Sequence, residues 1–353
     1  MPFQIIRSDI TKVKADVIVN TANPRPVIGS GTDSAIYLAA GEDALLAERK
    51  KIGDIAPGQA AATPAFALSA NHIIHTVGPA WVDGKHHEWE ILRSCYANSL
   101  ALAAELDARS IAFPLIATGV YGFPKDEALS IAMAEIGGFL LTHDMKVILV
   151  VFDRKAFELS GQLVGQIDEY IDEHGVGLAR QTEYGGKYNR RRRMEEELLR
   201  QTIALPDEAD TGDLAFDGTL TPMEVPFDLA GKSLDELLEH AGETFQQRLF
   251  KLIDASGMDD VTVYKKANID RKLFSRIRCK EDYKPKKRTA VAFAIALELD
   301  LQTTLDLLSR AEIAFSPSSR FDLIVTYFIT NKIYDIYKIN TALFQYGQPI
   351  LGE

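Results

Sequence analysis

Apolar runs and helix-spaced apolar positions alternate through the first half of the chain. Residues 3–6 and 17–19 read as strands, and residues 33–49 as a helix. Residues 60–66 and 73–77 read as further strands, and 88–106 as a long helix. The series closes with strand 110–114, helix 125–141, strand 146–152 and helix 157–174. Runs such as Val17-Ile18-Val19 lack polar alternation, the pattern of strands buried on both faces. The alternation predicts a mainly parallel or mixed sheet with helices on both faces, whose ligands bind beyond the carboxyl ends of the strands.

From about 175 to 235 this patterning dissolves. Arg190–Arg193 is followed at once by Glu195–Glu197, an opposite-charge block that reads as a short exposed helix rather than a nucleic-acid site. Residues 207–228 carry seven acids and no Lys or Arg, so the stretch repels itself and reads as an extended linker. After about 239 everything has helical spacing, at 244–255, 261–267, 271–279, 289–299, 301–311, 320–330 and 336–344. The expected organisation is an α/β domain over 1–173, a charged linker over 174–238 and a separate all-α domain over 239–353.

Composition adds bounds to this picture. The 353 residues are enough for two domains, and 46% hydrophobic with 25% charged residues is ordinary for a soluble globular protein. A net charge of −11 gives the molecule as a whole no general affinity for nucleic acid, although a local basic face stays open. Cys95 and Cys279 lie too far apart in sequence to build a metal site or a disulfide framework. The expected location is the reducing cytoplasm. No apolar run reaches membrane-spanning length, and residues 1–10 lack a signal-peptide pattern.

Candidate chemistry concentrates between Val17 and Gly41. The strand ends at two asparagines, Asn20 and Asn23. A Pro/Gly-rich loop over 24–31 follows, and then Thr32, Asp33 and Ser34, N-capping types ahead of an alanine-rich helix. Strand, glycine loop and helix N-terminus together form an anion site. Phosphate needs only backbone N–H groups, so the polar side chains imply that something else is held as well. A second glycine loop, 114–124, leaves strand 110–114 and offers N–H groups at Thr118, Gly119 and Gly122 under the cover of Tyr121 and Phe123. Two such loops suit a diphosphate. Asp9 can accept from an adenine amino group or cap a turn, and Phe152 can stack on a base or serve as core.

Five blocks in order resemble the macro domain family, the ADP-ribose-binding fold, across about residues 1–173. They are SDIT at 8–11, VNTAN at 19–23, GSGTDSAI at 29–36, IIHTVGPAW at 73–81 and FPLIATGVYGFP at 113–124. The resemblance implies a three-layer α/β/α domain in which Asp9 and Ile10 hold adenine and Phe152 stacks nearby. It implies that Gly29, Ser30 and Gly31, with Thr118, Gly119, Val120, Tyr121 and Gly122, cradle the diphosphate. Asn23 would contact the distal ribose, with Asn20 in the same set, bracing the loop from behind. MacroD-type hydrolases keep an Asp ten residues after the second Asn of this motif, and Asp33 occupies that position. There it would activate a water for attack at the distal ribose.

The pattern has departures. Ser8 replaces a glycine, and the usual four glycines read Ile28-Gly29-Ser30-Gly31, so Ile28 could narrow the catalytic loop. Thr32 and Tyr37 also differ from the family's valine and frequent histidine. His75, His86 and His87 show no cysteine or carboxylate partners at metal spacing, and neither a metal nor a cofactor is expected.

In the second half, 261–267 and 271–279 across a short break resemble a lambda-repressor-like helix-turn-helix pair, with Asn268 serving in the turn. Residues 261–290 hold eleven Lys/Arg against three Asp/Glu, a net of +8. Arg271, Lys272, Ser275, Arg276 and Arg278 fall largely away from the apolar face of Leu273, Phe274 and Ile277 and are candidates for DNA contact. The alternative is a helical bundle that docks on a protein partner or on the macro domain itself. The expected function is removal of mono-ADP-ribose from modified acceptors, with O-acetyl-ADP-ribose as a second substrate. The rival is a non-catalytic ADP-ribose sensor coupled to a DNA-binding regulator domain.

Overall fold

A computed structural model of the chain describes residues 2–151, 165–171 and 243–352. The expected linker and Phe152 lie outside the described residues. Six strands, β1 (Phe3–Arg7), β2 (Val17–Thr21), β3 (Ala60–Pro64), β4 (His72–Thr76), β5 (Ser110–Pro114) and β6 (Lys146–Val151), form one sheet in the order β1-β6-β5-β2-β4-β3. Among the described strands only β3 runs antiparallel to its neighbour, so the sheet is mixed as expected.

Side-chain alternation divides the sheet between two cores. Val17, Val19, Phe113, Val147 and Leu149 pack with α3 (Glu88–Glu105) and α4 (Lys125–Thr142) on one face. Ile18, Ile73, Ala112 and Ile148 pack with Ile36, Tyr37 and Leu45 on the other. These last come from α1 (Thr32–Ala40) and α2 (Glu42–Ile52), where the spacing predicted a single helix over 33–49. Gly41 breaks it by taking φ 102°, a conformation side chains with a Cβ avoid.

The helices described over 243–352 are α5 (Phe245–Ser256), α6 (Asp260–Lys266), α7 (Arg271–Cys279), α8 (Lys287–Ala296), α9 (Leu301–Ser309), α10 (Arg320–Thr330) and α11 (Ile336–Gln345). Caps explain their starts. Thr244 and Gln247 form a reciprocal capping box, and Asp259, Asp270, Asp300, Ser319 and Asp335 each accept from a first-turn N–H.

These helices form one compact unit with the sheet domain. Between α6 and α7, Asn268 turns the chain at φ 54° and puts its buried amide on the edge strand β1. Its Oδ1 accepts from Phe3 N–H at 2.9 Å, and its Nδ2 donates to Phe3 O at 3.1 Å. Lys265 Nζ donates to Leu141 O at 3.2 Å, and the Tyr337 ring covers Gly137, where a Cβ would meet it at 2.7 Å. Residues 165–171, placed by their pattern in the last helix of the sheet domain, bury Ile167 in the helical core instead.

Candidate functional site

The parallel strands bring the carboxyl ends of β1, β2 and β5 to one edge, where the segments singled out in the sequence meet. Asp33 sits in the first turn of α1 and is 3% exposed. Its Oδ1 accepts from Asn20 Nδ2 at 2.6 Å, and its Oδ2 accepts from the Gly29 N–H at 2.5 Å. Burial raises the Asp33 carboxyl above its ordinary value, while the Gly29 N–H, Asn20 and the charge of Arg49 pull the other way.

Asn20 is held from behind. Its Nδ2 also lies 3.1 Å from His75 Nδ1, and His75 Nε2 lies 3.0 Å from Thr63 Oγ1. Burial, helped by the charge of Arg49, pushes the His75 ring down to about 3, so it is neutral. With Nδ1 accepting from Asn20, Nε2 carries the proton and donates to Thr63. Thr63, His75, Asn20 and Asp33 thus form a relay across β3, β4, β2 and α1. The sequence reading had placed His75 in an apolar strand and missed this role.

Asn23 joins the two glycine loops. Its Nδ2 donates to Val27 O at 3.2 Å, and its Oδ1 accepts from Tyr121 OH at 3.4 Å. Gly29 lies against both polar groups of the cleft: a Cβ there would stand 2.8 Å from Asn23 Nδ2 and 3.2 Å from Asp33 Oδ2. Ile28 packs against the core formed by Ile10, Ile18 and Ile36, and that contact occupies the branched side chain. Gly31, at φ 66°, is the N-cap of α1 and supplies no side-chain cap, which leaves first-turn N–H groups for an anion. Ser30 is exposed beside it.

The second loop is braced from within. Gly122 N–H donates to Gly119 O and Phe123 N–H to Ala117 O, both at 3.0 Å, and Thr118 Oγ1 donates to Leu115 O at 2.9 Å. Phe123 is buried against Trp81 and Trp89 with ring centroids 4.8 and 5.6 Å away, while Val120 stands 84% exposed at the tip. Asp9 caps the short turn Ile10–Lys12, its Oδ1 accepting from Thr11 N–H and Oγ1, and these bonds hold its carboxyl below the ordinary range. Ile10 is buried beside Val150.

His86 needs a correction. It does have carboxylate neighbours, with Nδ1 3.0 Å from Asp83 Oδ1 and 3.9 Å from Glu88 Oε1. Glu88 is spoken for, since it accepts from the N–H groups of Val82, Asp83, Gly84 and His86. Burial pushes its carboxyl up, but its own N–H and those of His86, Asp83 and Val82 outweigh it and bring the value down to about 2. Glu88 thereby ties the loop to the start of α3, and one ligand atom each from Asp83, His86 and Glu88 lie within 4.8 Å of one another, a cation-sized grouping that the sequence spacing does not show.

Arg49 went unnoticed in the sequence. It is 1% exposed, and its guanidinium donates to the main-chain oxygens of Gly53, Asn23 and Pro24. The available signal was a cation four residues after Leu45, on the buried stripe of α2.

On α7, Leu273, Phe274 and Ile277 are buried, and Arg271, Lys272, Ser275, Arg276 and Arg278 are exposed. Much of the surrounding basic charge is matched. Arg278 pairs with Asp260 at 2.7 Å, Lys265 with Asp144 at 3.5 Å, Lys266 with Glu298 at 3.2 Å and Lys287 with Asp322 at 2.8 Å.

The chain matches the Macro domain family over residues 19–132. It is 43% identical to an O-acetyl-ADP-ribose deacetylase of Cronobacter sakazakii (strain ATCC BAA-894) over 171 residues, which are 47% of this chain and 94% of that protein. A protein of the same name from Klebsiella pneumoniae (strain 342) is 45% identical over 167 residues, covering 46% of this chain and 95% of the relative. Among solved structures it is similar to the Oceanobacillus iheyensis macrodomain with ADP, at 36% identity and a TM-score of 0.43, covering 47% of this chain and 90% of that one. Identity of 43% sustained over 94% of a curated relative, together with the family match at 19–132, shows that the chain belongs to the macro domain family.

Proposed function

We propose that the cleft binds ADP-ribose and hydrolyses bonds to its distal ribose, acting on O-acetyl-ADP-ribose and on mono-ADP-ribosylated acceptors. One observation carries the reading: a buried carboxylate, Asp33, held by Asn20 and Gly29 beside Asn23. Each Asp33 oxygen keeps acceptor capacity beyond its one bond, enough to take a proton from a water. A carboxylate raised by burial is the stronger base for that task. The water attacks the anomeric carbon of a modified acceptor's ribose, and the acceptor departs. In O-acetyl-ADP-ribose the same water attacks the ester carbonyl and releases acetate.

The remaining groups fit the rest of the ligand. Asn23 addresses the distal ribose. Ser30 and Gly31 at the open N-terminus of α1, with the loop from Thr118 to Gly122, address the diphosphate. The Gly29 N–H is engaged by Asp33, which gives Gly29 a positioning part rather than a phosphate contact. Asp9 Oδ2 is bonded to neither Thr11 group and has only the exposed Lys12 Nζ at 3.8 Å, which leaves it acceptor capacity for an adenine amino group over Ile10. The names of the bacterial relatives support an ester substrate. The test is release of acetate and of ADP-ribose from the two substrates by wild type and Asp33→Ala. Turnover should fall by about 10²-fold or more with ADP-ribose still bound; equal loss of binding and turnover would reduce Asp33 to a structural part.

A second reading, an ADP-ribose sensor whose helical part contacts DNA, draws support from the exposed Arg271, Lys272, Ser275 and Arg276 on α7. The paired cations around them weigh against it. If it holds, Arg276→Ala should weaken DNA binding and make its salt dependence shallower by about one unit of slope per lost phosphate contact.

A further inference from the structure

A full positive charge lies buried under the cleft with no direct carboxylate bond among the described residues. Arg49, on the last turn of α2, spends its donors on three main-chain oxygens: Gly53 O, Asn23 O at 3.2 Å and Pro24 O at 3.2 Å. The geometry has a local cause. β2 ends at Thr21, so the carbonyls of Asn23 and Pro24 have left the ladder and need other donors. Pro24 O also accepts from Ile55 N–H at 2.9 Å, so the segment after α2 and the segment after β2 are sewn together at this point. A guanidinium can serve several acceptors in one plane, and no other cationic side chain presents that fork.

Burying such a charge costs several kcal/mol or more unless an opposite charge is near. The charges it feels from its neighbours are those of Tyr37, Asp54 and Asp33. Tyr37 is itself pushed up to about 12 by burial and by Asp33, so it is a neutral phenol in the working range. Asp54 is exposed and screened. Asp33 is the buried acid of the three, and on it the charge of Arg49 acts less than burial, the Gly29 N–H and Asn20 do.

We infer that Arg49 is a positioning residue of this cleft, its guanidinium fixing the main chain of Asn23 and Pro24 at the start of the loop whose Gly29 N–H reaches Asp33. The inference rests on the reading of this cleft as the hydrolytic site.

Arg49→Lys retains the charge and loses the fork; Arg49→Gln removes the charge and retains donors. The Asn23 side-chain amide is followed by nitrogen NMR in the ligand-free full chain, its resonance identified by loss in Asn23→Ala, and turnover of O-acetyl-ADP-ribose is followed in parallel. In Arg49→Lys the Asn23 resonance should shift, and kcat should fall about tenfold with KM within a few-fold of wild type. An Asn23 resonance or a kcat unchanged in a folded Arg49→Lys overturns the inference. If the lysine variant fails to fold, Arg49→Gln is read in the same way, with the same outcomes. Absence of wild-type turnover would sink the hydrolase reading alone, since the NMR comparison needs no substrate.

Discussion

Asn20 and His75 face each other across β2 and β4, with Nδ2 3.1 Å from Nδ1, and this contact decides which way the Asn20 amide points. The same nitrogen donates to Asp33 Oδ1 at 2.6 Å, so both amide protons are committed to acceptors. Asn20 Oδ1 is left buried with no partner among the described residues. That orphan oxygen costs about 1–3 kcal/mol, and it is tolerated because the flipped amide would set an oxygen against the Asp33 carboxylate.

A neutral His75 ties stability to pH. Its value is pushed down to about 3 in the folded chain from an ordinary 6.5. Below pH 6.5 the unfolded chain takes up a proton that the folded chain refuses. This group therefore lowers stability as pH falls, by up to ~1.4 kcal/mol per pH unit, and contributes no slope above 6.5. His75→Gln removes the effect. In urea unfolding, the stability of the variant relative to wild type should rise by ~2 kcal/mol between pH 7 and pH 5. Parallel curves for the two proteins would mean that the ring is charged in the folded chain.

The glycines of the cleft differ in how replaceable they are. A Cβ on Gly29 would meet Asn23 Nδ2 at 2.8 Å and Asp33 Oδ2 at 3.2 Å, whereas a Cβ on Gly119 meets nothing within 4 Å. Gly29→Ala should displace the two side chains by a few tenths of an ångström to 1 Å and lower kcat by up to about 10²-fold. Gly119→Ala should stay within a few-fold of wild type. Steady-state kinetics on O-acetyl-ADP-ribose would separate them, and equal losses would show that the cleft is limited by loop freedom rather than by the Gly29 contact.

Much of this arrangement was legible in the chain. The predicted bounds 271–279 and 320–330 coincide with α7 and α10, because caps and apolar spacing agree there. The mixed sheet followed from alternating periodicities, and Asp33, Asn23 and both glycine loops do meet at one edge. What stayed hidden depends on pairing between distant segments. His75 reaches Asn20 and Thr63 only through the registers of β4 with β2 and β3, which no local pattern encodes. Arg49 stands on the stripe of Leu45, but its partners at Asn23 and Pro24 belong to another segment, which no local pattern encodes. Asn268 is separated by 265 positions from the strand it binds.

That last pairing yields the sharpest expectation about how the two halves of the chain hold together. The Asn268 amide treats β1 as a neighbouring strand would, accepting from Phe3 N–H and donating to Phe3 O, and it also donates to Leu351 O at 3.3 Å. Asn340 grips the same residue, its Oδ1 accepting from Leu351 N–H at 2.6 Å. Asn268→Ala would leave the buried oxygen and N–H of Phe3 unpaired and keep a non-glycine residue at φ 54°. The expected loss is ~2–4 kcal/mol of unfolding free energy. Asn268→Gly relaxes the backbone but restores neither bond, so it should recover less than ~1 kcal/mol of that loss. Hydrogen exchange locates the damage: the Phe3 and Leu351 amides should exchange faster in both variants, with the amides of β2 and β5 slowest to respond. If Phe3 stays protected in Asn268→Ala, β1 is closed by other contacts and the helical half is not what seals the sheet edge.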